Sequence, residues 1–148
     1  MSLKIESFKI EDVDKFESVR KIRETVFIIE QQVAEEEEFD EFEEDSTHYL
    51  MRFSGKPIGT ARWRTIRDKV KLERFAVLKE YRGKQYGDDL LEKVIADASE
   101  LNKPIYLHAQ LKAIPFYARR GFVKVGDLFL ECDIEHYKMI FETRKLKV

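Results

Sequence analysis

Residues Glu80 to Val94 read EYRGKQYGDDLLEKV, a basic loop with two glycines that leads into the apolar pattern of a helix. The strand-like run VKLERFAVL precedes the loop, and apolar residues follow it at helical spacing. Backbone N–H groups at a helix N-terminus bind anions, so a strand, a loop and a helix in this order indicate a phosphate site. The same residues also allow a plain helix start, with Asp88 as the cap and Gly87 at the bend.

Gln85 stands between Gly83 and Gly87, where a phosphate-binding turn is expected to carry another glycine. A glutamine N–H can bind an anion as well as a glycine N–H, but glycine also allows a positive φ angle. Gln85 therefore predicts an ordinary helical or β backbone at its position. Arg82 and Lys84 add positive charge beside the turn, whereas the two aspartates of the first helical turn compete with an anion for the same N–H groups.

Length and composition indicate one globular domain over residues 1–148, with 43% hydrophobic and 38% charged residues. The net charge of −2 argues against a general nucleic-acid binder, because neutralising a phosphate backbone needs a basic stripe. Cys132 is the single cysteine, so an internal disulfide is excluded. The N-terminus lacks an apolar signal core and no apolar run has membrane-spanning length, so we expect a cytoplasmic protein that does not bind membranes.

Period-2 and period-3.6 patterns alternate along the chain and predict an α+β fold with a mixed, mostly antiparallel sheet. Short turns with Gly, Pro and Asp join three central strands into an antiparallel meander. One amphipathic helix or two short ones are predicted from Glu11 to about Gln31, another helix over Leu90 to Leu101, and a short one that ends at Gly121. The predicted strands are LKIESFK, THYLMRF, PIGTARWRTI, VKLERFAVL, IYLHAQ and two within VKVGDLFLECDIEHYKMIFE.

A meander strand ending in ERFAVLKEYRG, then a helix, a strand and AxxFYxxxGF, resembles the GNAT acyltransferase superfamily, which transfers an acyl group from acyl-CoA to an amine. The resemblance covers nearly the whole chain and includes EQQVAEEEEFDE, ARWR, KLERFAVL, AQLKAIPFY and DIEHYKM, which are similar to a small bacterial branch of acetyltransferases. This chain has the arginine and the final glycine of the family loop R/Q-x-x-G-x-G/A, but it has glutamine in place of the middle glycine. The loop residues here are Arg82, Gly83, Lys84, Gln85, Tyr86 and Gly87.

The resemblance implies a GNAT fold that is splayed between strands 4 and 5, with acetyl-CoA as co-substrate and no metal. Backbone groups of the fourth strand, over Phe75, Ala76, Val77 and Leu78, would pair with the pantetheine arm. The implied reaction is direct attack of a small-molecule or protein amine on acetyl-CoA, and a homodimer is compatible with the family. A non-catalytic acyl-CoA-binding or sensing module is the alternative, and a third class is a protein-interaction domain that uses the acidic loop.

Tyr117 in AIPFY matches the family tyrosine that is proposed to protonate the departing thiolate; the alternative is a packing residue of the core. Gln110 stands where many members carry asparagine, and it either bonds the cofactor arm or ends its strand. Glu73 shares a strand face with apolar residues, which would raise its pKa and suit a general base, or it pairs with a neighbouring arginine. His136 is the other candidate base, with a structural role as the alternative, and water could also carry the proton.

The acidic run from Glu35 to Asp45 is interpreted as solvated surface, or, if it borders the acceptor cleft, as an attractor of a cationic amine. Arg62 and Arg64 share a strand face, and they need anionic partners from Glu73, from the acidic run or from the substrate. For His108 we expect a packing role, and His48 has no evident partner. Cys132 has no basic neighbour that would lower its pKa, so it is not expected to act as a nucleophile.

Overall fold

The computed structural model describes residues 2–142 of the chain, which form one seven-stranded sheet with helices on both faces. The strand order is β1-β2-β3-β4-β5-β7-β6, and every neighbouring pair is antiparallel except β4 and β5. This confirms the predicted α+β class and each predicted strand. The strands are β1 (Leu3–Phe8), β2 (Thr47–Phe53), β3 (Lys56–Ile66), β4 (Lys69–Val77), β5 (Ile105–Gln110), β6 (Phe122–Glu131) and β7 (Ile134–Phe141).

The long helix that follows the loop supplies the crossover that a parallel strand pair requires, because it lies between β4 and β5 in the chain. Single 3-10 turns precede it and precede the last helix, at Lys79–Tyr81 and Leu111–Ala113. Within residues 2–142, no helix has the length and apolar character needed to span a membrane. The helices are α1 (Val13–Arg23), a π-helical continuation at Glu24–Glu30, α2 (Glu35–Glu38), α3 (Tyr86–Ser99) and α4 (Ile114–Ala118).

The first helical region begins at Asp12, whose carboxylate accepts a hydrogen bond from the N–H of Lys15 at 3.3 Å. The predicted helix extends over the expected range, but its second part is π-helical. Val13 and Ile29 fit the three- and four-residue spacing of the apolar residues in this region, yet each is 69% exposed. Val13 is exposed at the very start of α1. Ile29 lies in the π-helical segment, where the wider i→i+5 turn rotates it away from the face on which an α-helix would place it.

The sheet buries a separate apolar cluster on each face because side chains alternate along a strand. Tyr49 and Met51 of β2 belong to a cluster with the apolar face of α3, whereas Leu50 belongs to a cluster with α1 and the π-helical segment. All three side chains are fully buried. Each helix is thus fixed to its own side of the sheet.

β4 and β5 form a ladder only over Val70–Leu72 and Ile105–Leu107, and they are unpaired beyond it. A β-bulge follows in β4: Arg62 pairs with Glu73 and Thr60 with Ala76, so two residues of β4 lie opposite one of β3. Arg74 within the bulge has φ +60°. Bulges bend and twist a strand, and this bulge lies where β4 leaves β5. The predicted splay between strands 4 and 5 is therefore confirmed.

Candidate active site

A cavity of about 620 Å³ opens where β4 and β5 diverge, a size typical of sites for small molecules. Its walls come from β4, β5, β7, α4, the π-helical segment and the acidic run. Residues that are far apart in sequence, such as Gln31, Glu73, Tyr117 and His136, meet there. The cavity is thus a direct product of the bulge and of the short β4–β5 ladder.

Tyr117 lines this cavity from α4 and is 9% exposed. Its ring makes edge contacts with Phe75 at 6.0 Å and with Phe122 at 6.0 Å between centroids. Burial raises the pKa of Tyr117, so its hydroxyl is protonated at neutral pH. No hydrogen bond from the described residues 2–142 engages this hydroxyl. The ring is therefore packed as the core interpretation expected, and the hydroxyl remains available as a donor.

The loop before α3 has the backbone of a phosphate-binding turn despite its glutamine. Gly83 has φ +77° and Gln85 has φ +70° and ψ 7°, both in the left-handed region. The expectation of an ordinary backbone at Gln85 is wrong, because the entry into α3 requires this geometry whichever residue is present. A non-glycine residue there costs about 1–2 kcal/mol. The loop keeps its shape at the expense of local strain.

The N-terminus of α3 is not capped by a side chain, so its first N–H groups remain available to an anion. The alternative in which Asp88 caps the helix is wrong, since its carboxylate lies 3.4 Å from Arg119 and 3.5 Å from Arg120. Lys84 is exposed beside the turn. A Cβ at Gly87 would make an ordinary contact of 3.5 Å with the ring of Phe116, so packing does not require glycine there. This end of α3 has the features of an anion site.

Two further residues of the loop have defined contacts. Arg82 donates from Nε to the carbonyl of Val77 at 2.7 Å and from Nη2 to Glu30 at 2.8 Å. Tyr86 packs on Phe53 with ring centroids 5.4 Å apart. Arg82 thus ties the end of β4 to the π-helical segment, and Tyr86 anchors the first turn of α3 to the core.

Glu73 is the centre of a buried cluster of cations. Its Oε1 accepts from Nε of Arg62 and from Nε of Arg64, each at 2.9 Å, and its Oε2 lies 3.2 Å from Nζ of Lys71. Burial alone would raise the pKa of Glu73, but the hydrogen bonds from Arg64 and the neighbouring cations outweigh it and lower the pKa to about 2. The expectation of a raised pKa is wrong, and a carboxylate held this way has little basicity. The ion-pair interpretation of Glu73 is the correct one.

Three carboxylates of the acidic run are internal counter-charges rather than solvated surface. Glu38 and Glu43 both bind the fully buried Arg23, at 2.7 Å and 2.8 Å. Asp40 binds Arg62 at 2.9 Å, and Arg62 also binds Glu43 at 2.9 Å. Both aromatic residues of the run cover arginines: Phe39 lies 4.8 Å from Arg23, and Phe42 lies 3.8 Å from Arg64. The other carboxylates of the run, Glu35–Glu37, Glu41, Glu44 and Asp45, are exposed, so the solvated interpretation holds for them.

His136 lines the cavity from β7 and is 8% exposed. Its Nδ1 is 2.7 Å from the carbonyl of Ile134. A carbonyl only accepts, so Nδ1 carries the proton and Nε2 of the neutral ring keeps its lone pair. Glu131 Oε1 lies 3.9 Å from this Nε2 and 3.3 Å from Nδ1 of His108. The hydrogen bond from His108 lowers the pKa of Glu131. A carboxylate thus stands beside an imidazole that can accept a proton.

Glu131 and Gln31 were not identified from the sequence, and both lie in the cavity. Glu131 faces His136 because β6 and β7 are joined by a two-residue turn at Cys132 and Asp133, with φ +52° and +63°. A two-residue hairpin turn at the centre of ECDIEH could have been predicted from the sequence, and it would have placed Glu131 near His136. Gln31 accepts a hydrogen bond from Nε2 of Gln110 at 2.9 Å. No local pattern joins these two residues, which are 79 positions apart in the chain.

The remaining two histidines and the cysteine lie in three different environments. His48 is fully buried, with Nε2 donating to the carbonyl of Glu43 at 2.9 Å, and burial lowers its pKa. His108 contacts the ring of Phe129, as the packing interpretation predicted, but it also lines the cavity. For Cys132, burial and the nearby Glu37 raise the thiol pKa. A protonated thiol agrees with the expectation that Cys132 is not a nucleophile.

Residues 11–143 match the family model of the acetyltransferase (GNAT) domain. Among individual proteins, the chain is 39% identical over 123 residues to the uncharacterized N-acetyltransferase YjcF of Bacillus subtilis. That match covers 80% of this chain and 86% of the relative. The match to the family therefore includes every element of the cavity.

Solved structures share the whole fold. An acyl-CoA N-acyltransferase from Pseudomonas aeruginosa superimposes with a TM-score of 0.86 at 27% identity, over 95% of this chain and 100% of that chain. The PaiA N-acetyltransferase of Thermoplasma acidophilum, solved in complex with coenzyme A, has a TM-score of 0.71 at 18% identity. This second likeness covers 97% of this chain and 100% of that one, and it concerns the fold alone.

Proposed function

Because the chain belongs to the GNAT acetyltransferases, we propose that it moves an acetyl group from acetyl-CoA to a primary amine by direct attack of the amine on the thioester. The observation that carries the proposal is the free hydroxyl of Tyr117 inside the cavity between β4 and β5. A thioester seated there would lie between a proton donor on α4 and a proton acceptor on β7.

The residues present fit a coenzyme A molecule. The uncapped N-terminus of α3 and the left-handed turn at Gly83 and Gln85 suit its pyrophosphate. The part of β4 that has left β5, with Phe75–Leu78 at its end, offers backbone groups to the pantetheine arm. The Thermoplasma neighbour with coenzyme A has the same fold. Arg82 would exchange Glu30 for a phosphate, since the Arg82–Glu30 pair is partly exposed.

The chain's own residues account for the protons of the reaction. Acetyl-CoA supplies the activated acyl group, and attack by a neutral amine leaves one proton on nitrogen and needs one on sulfur. Tyr117 donates from its hydroxyl, which burial keeps protonated. His136 accepts at Nε2, and Glu131 at 3.9 Å stabilises the resulting imidazolium. Glu73 has no part in this scheme because its carboxylate is bound to three cations.

The test combines binding with turnover. We expect calorimetric titration to give coenzyme A binding in wild type and in Tyr117→Phe, and weakened binding when Arg82 and Lys84 are both changed to alanine. With an accepted amine, Tyr117→Phe should lower kcat by about 100-fold or more while leaving coenzyme affinity intact. Equal kcat in wild type and Tyr117→Phe would refute the general-acid role.

His136 is tested by its own variant. His136→Gln should lower kcat/KM most strongly near neutral pH, and the loss should shrink at alkaline pH, where more of the amine is already neutral. A uniform loss at every pH would point to a positioning role instead. A non-catalytic acyl-CoA-binding module would bind coenzyme A equally but would release no free thiol with any amine.

A further inference from the structure

Lys71 and Arg64 form a cationic wall of the cavity that the proposed reaction does not use. They are directly opposite each other on β4 and β3, and both line the cavity. Their side chains are only 11% and 13% exposed, and the guanidinium of Arg64 is held over the ring of Phe42 at 3.8 Å. The two cations are therefore kept in place by packing rather than left to move in solvent.

This wall has more positive than negative charge. Within residues 2–142, Glu73 is the only carboxylate within ion-pair distance of Lys71 or of Arg64. Glu73 is also shared with Arg62. One carboxylate thus serves two cations of the wall. Lys71 has three N–H donors and one partner, and Arg64 uses Nε and Nη2 but not Nη1, so donors remain for a further anion.

The wall lies away from the groups that fit coenzyme A. On β4 it precedes the bulge at Arg74, whereas Phe75–Leu78 and the loop before α3 follow the bulge. Lys71 pairs with Tyr106 of β5, and His108 lies one two-residue step further along the same strand. That step is about 7 Å. His108 in turn contacts Glu131, and Glu131 lies beside His136. The wall therefore faces the acceptor side of the cavity.

Of the acidic-run carboxylates that line the cavity, Glu38 and Asp40 are already bound by arginines, and the exposed Glu37 is not within ion-pair distance of Lys71 or Arg64. We propose that the acceptor is a primary amine that also carries a carboxylate, which Lys71 and Arg64 bind while the amine lies at His136 and Glu131. The inference rests on the proposed acetyl transfer and names its substrate class. The separation of the two ends fits a spacer longer than that of an α-amino acid.

The experiment uses two matched probes, 5-aminopentanoate and pentylamine, which differ in the carboxylate. Each is titrated calorimetrically into wild type, Lys71→Met and the control Lys69→Met, with and without saturating coenzyme A. Lys69 is exposed, lies two residues earlier on β4 and does not line the cavity. Wild type and Lys69→Met should bind 5-aminopentanoate at least about tenfold tighter than pentylamine, and Lys71→Met should lose this preference.

Equal affinity of wild type for the two probes, no detectable binding of either, or a preference that persists in Lys71→Met would overturn the inference. Lys71→Met leaves Glu73 bound to both arginines, so we expect it to fold, and thermal melting checks this. Failure of the proposed function is a separate result: wild type would then show no affinity for coenzyme A. The carboxylate preference of the coenzyme-free protein still decides the inference in that case.

Discussion

Replacing Glu73 by glutamine tests whether this carboxylate is a structural counter-charge rather than a base. A pKa of about 2, against an ordinary value of 4.5, corresponds to about 3 kcal/mol of stabilisation at neutral pH. Removing one partner of a buried ion pair independently costs about 3–5 kcal/mol. In Glu73→Gln the cations Arg62, Arg64 and Lys71 lose this shared carboxylate. We therefore expect a loss of about 3 kcal/mol, or about 10 °C in Tm for a chain of this length.

The effect also has a defined pH dependence. A depressed carboxylate pKa stabilises the fold above the unfolded value of 4.5, and this stabilisation is lost as the pH falls toward 2. Urea denaturation should show the full difference between wild type and Glu73→Gln at pH 7 and a clearly smaller one at pH 3.

The control is Glu92→Gln, which removes a surface ion pair with Arg120 and should change stability by less than about 1 kcal/mol. A Glu73→Gln protein with wild-type stability but abolished acetyl transfer would refute the reasoning and restore Glu73 as a base.

Three other predictions concern stability. Gln85→Gly should relieve the left-handed strain and stabilise the fold by up to about 1 kcal/mol without weakening coenzyme A binding. Gly83→Ala should destabilise the fold by about 1 kcal/mol. Weaker coenzyme A binding by Gln85→Gly in calorimetry would contradict the first prediction. Burial lowers the pKa of His48, so protonation of this histidine opposes folding and wild type should lose stability as the pH falls below about 6.5. His48→Gln should lose less stability than wild type between pH 7 and pH 5 in urea titrations. Equal losses in the two proteins would contradict this role of His48. Glu38→Gln should cost more than the exposed Glu35→Gln, whose cost should be less than about 0.5 kcal/mol, and thermal melts that show equal costs would exclude the buried network.

The fold was largely predictable because the hydrophobic periods along the chain are regular. The meander from β2 to β4 and the helix α3 follow from alternation, short turns and 3.6-residue spacing. The π-helical turn that exposes Ile29 was not predictable, because the same apolar spacing fits an α-helix. The conformation of Gln85 was missed for a related reason: local preference disfavours a positive φ, and the packing of the flanking strand and helix overrides it.

The order of the elements, the loop that begins α3, and Tyr117 and His136 as residues of interest could all be predicted from the amino-acid sequence. Which charges meet depends on how the strands pair and how the acidic run folds. Glu73 is a shared counter-ion and Glu131 the neighbour of His136 because β-pairing and the folding of the acidic run bring distant residues within 4 Å. A carboxylate's pKa depends on burial and on such neighbours, and neither can be read from the residues beside it in the chain.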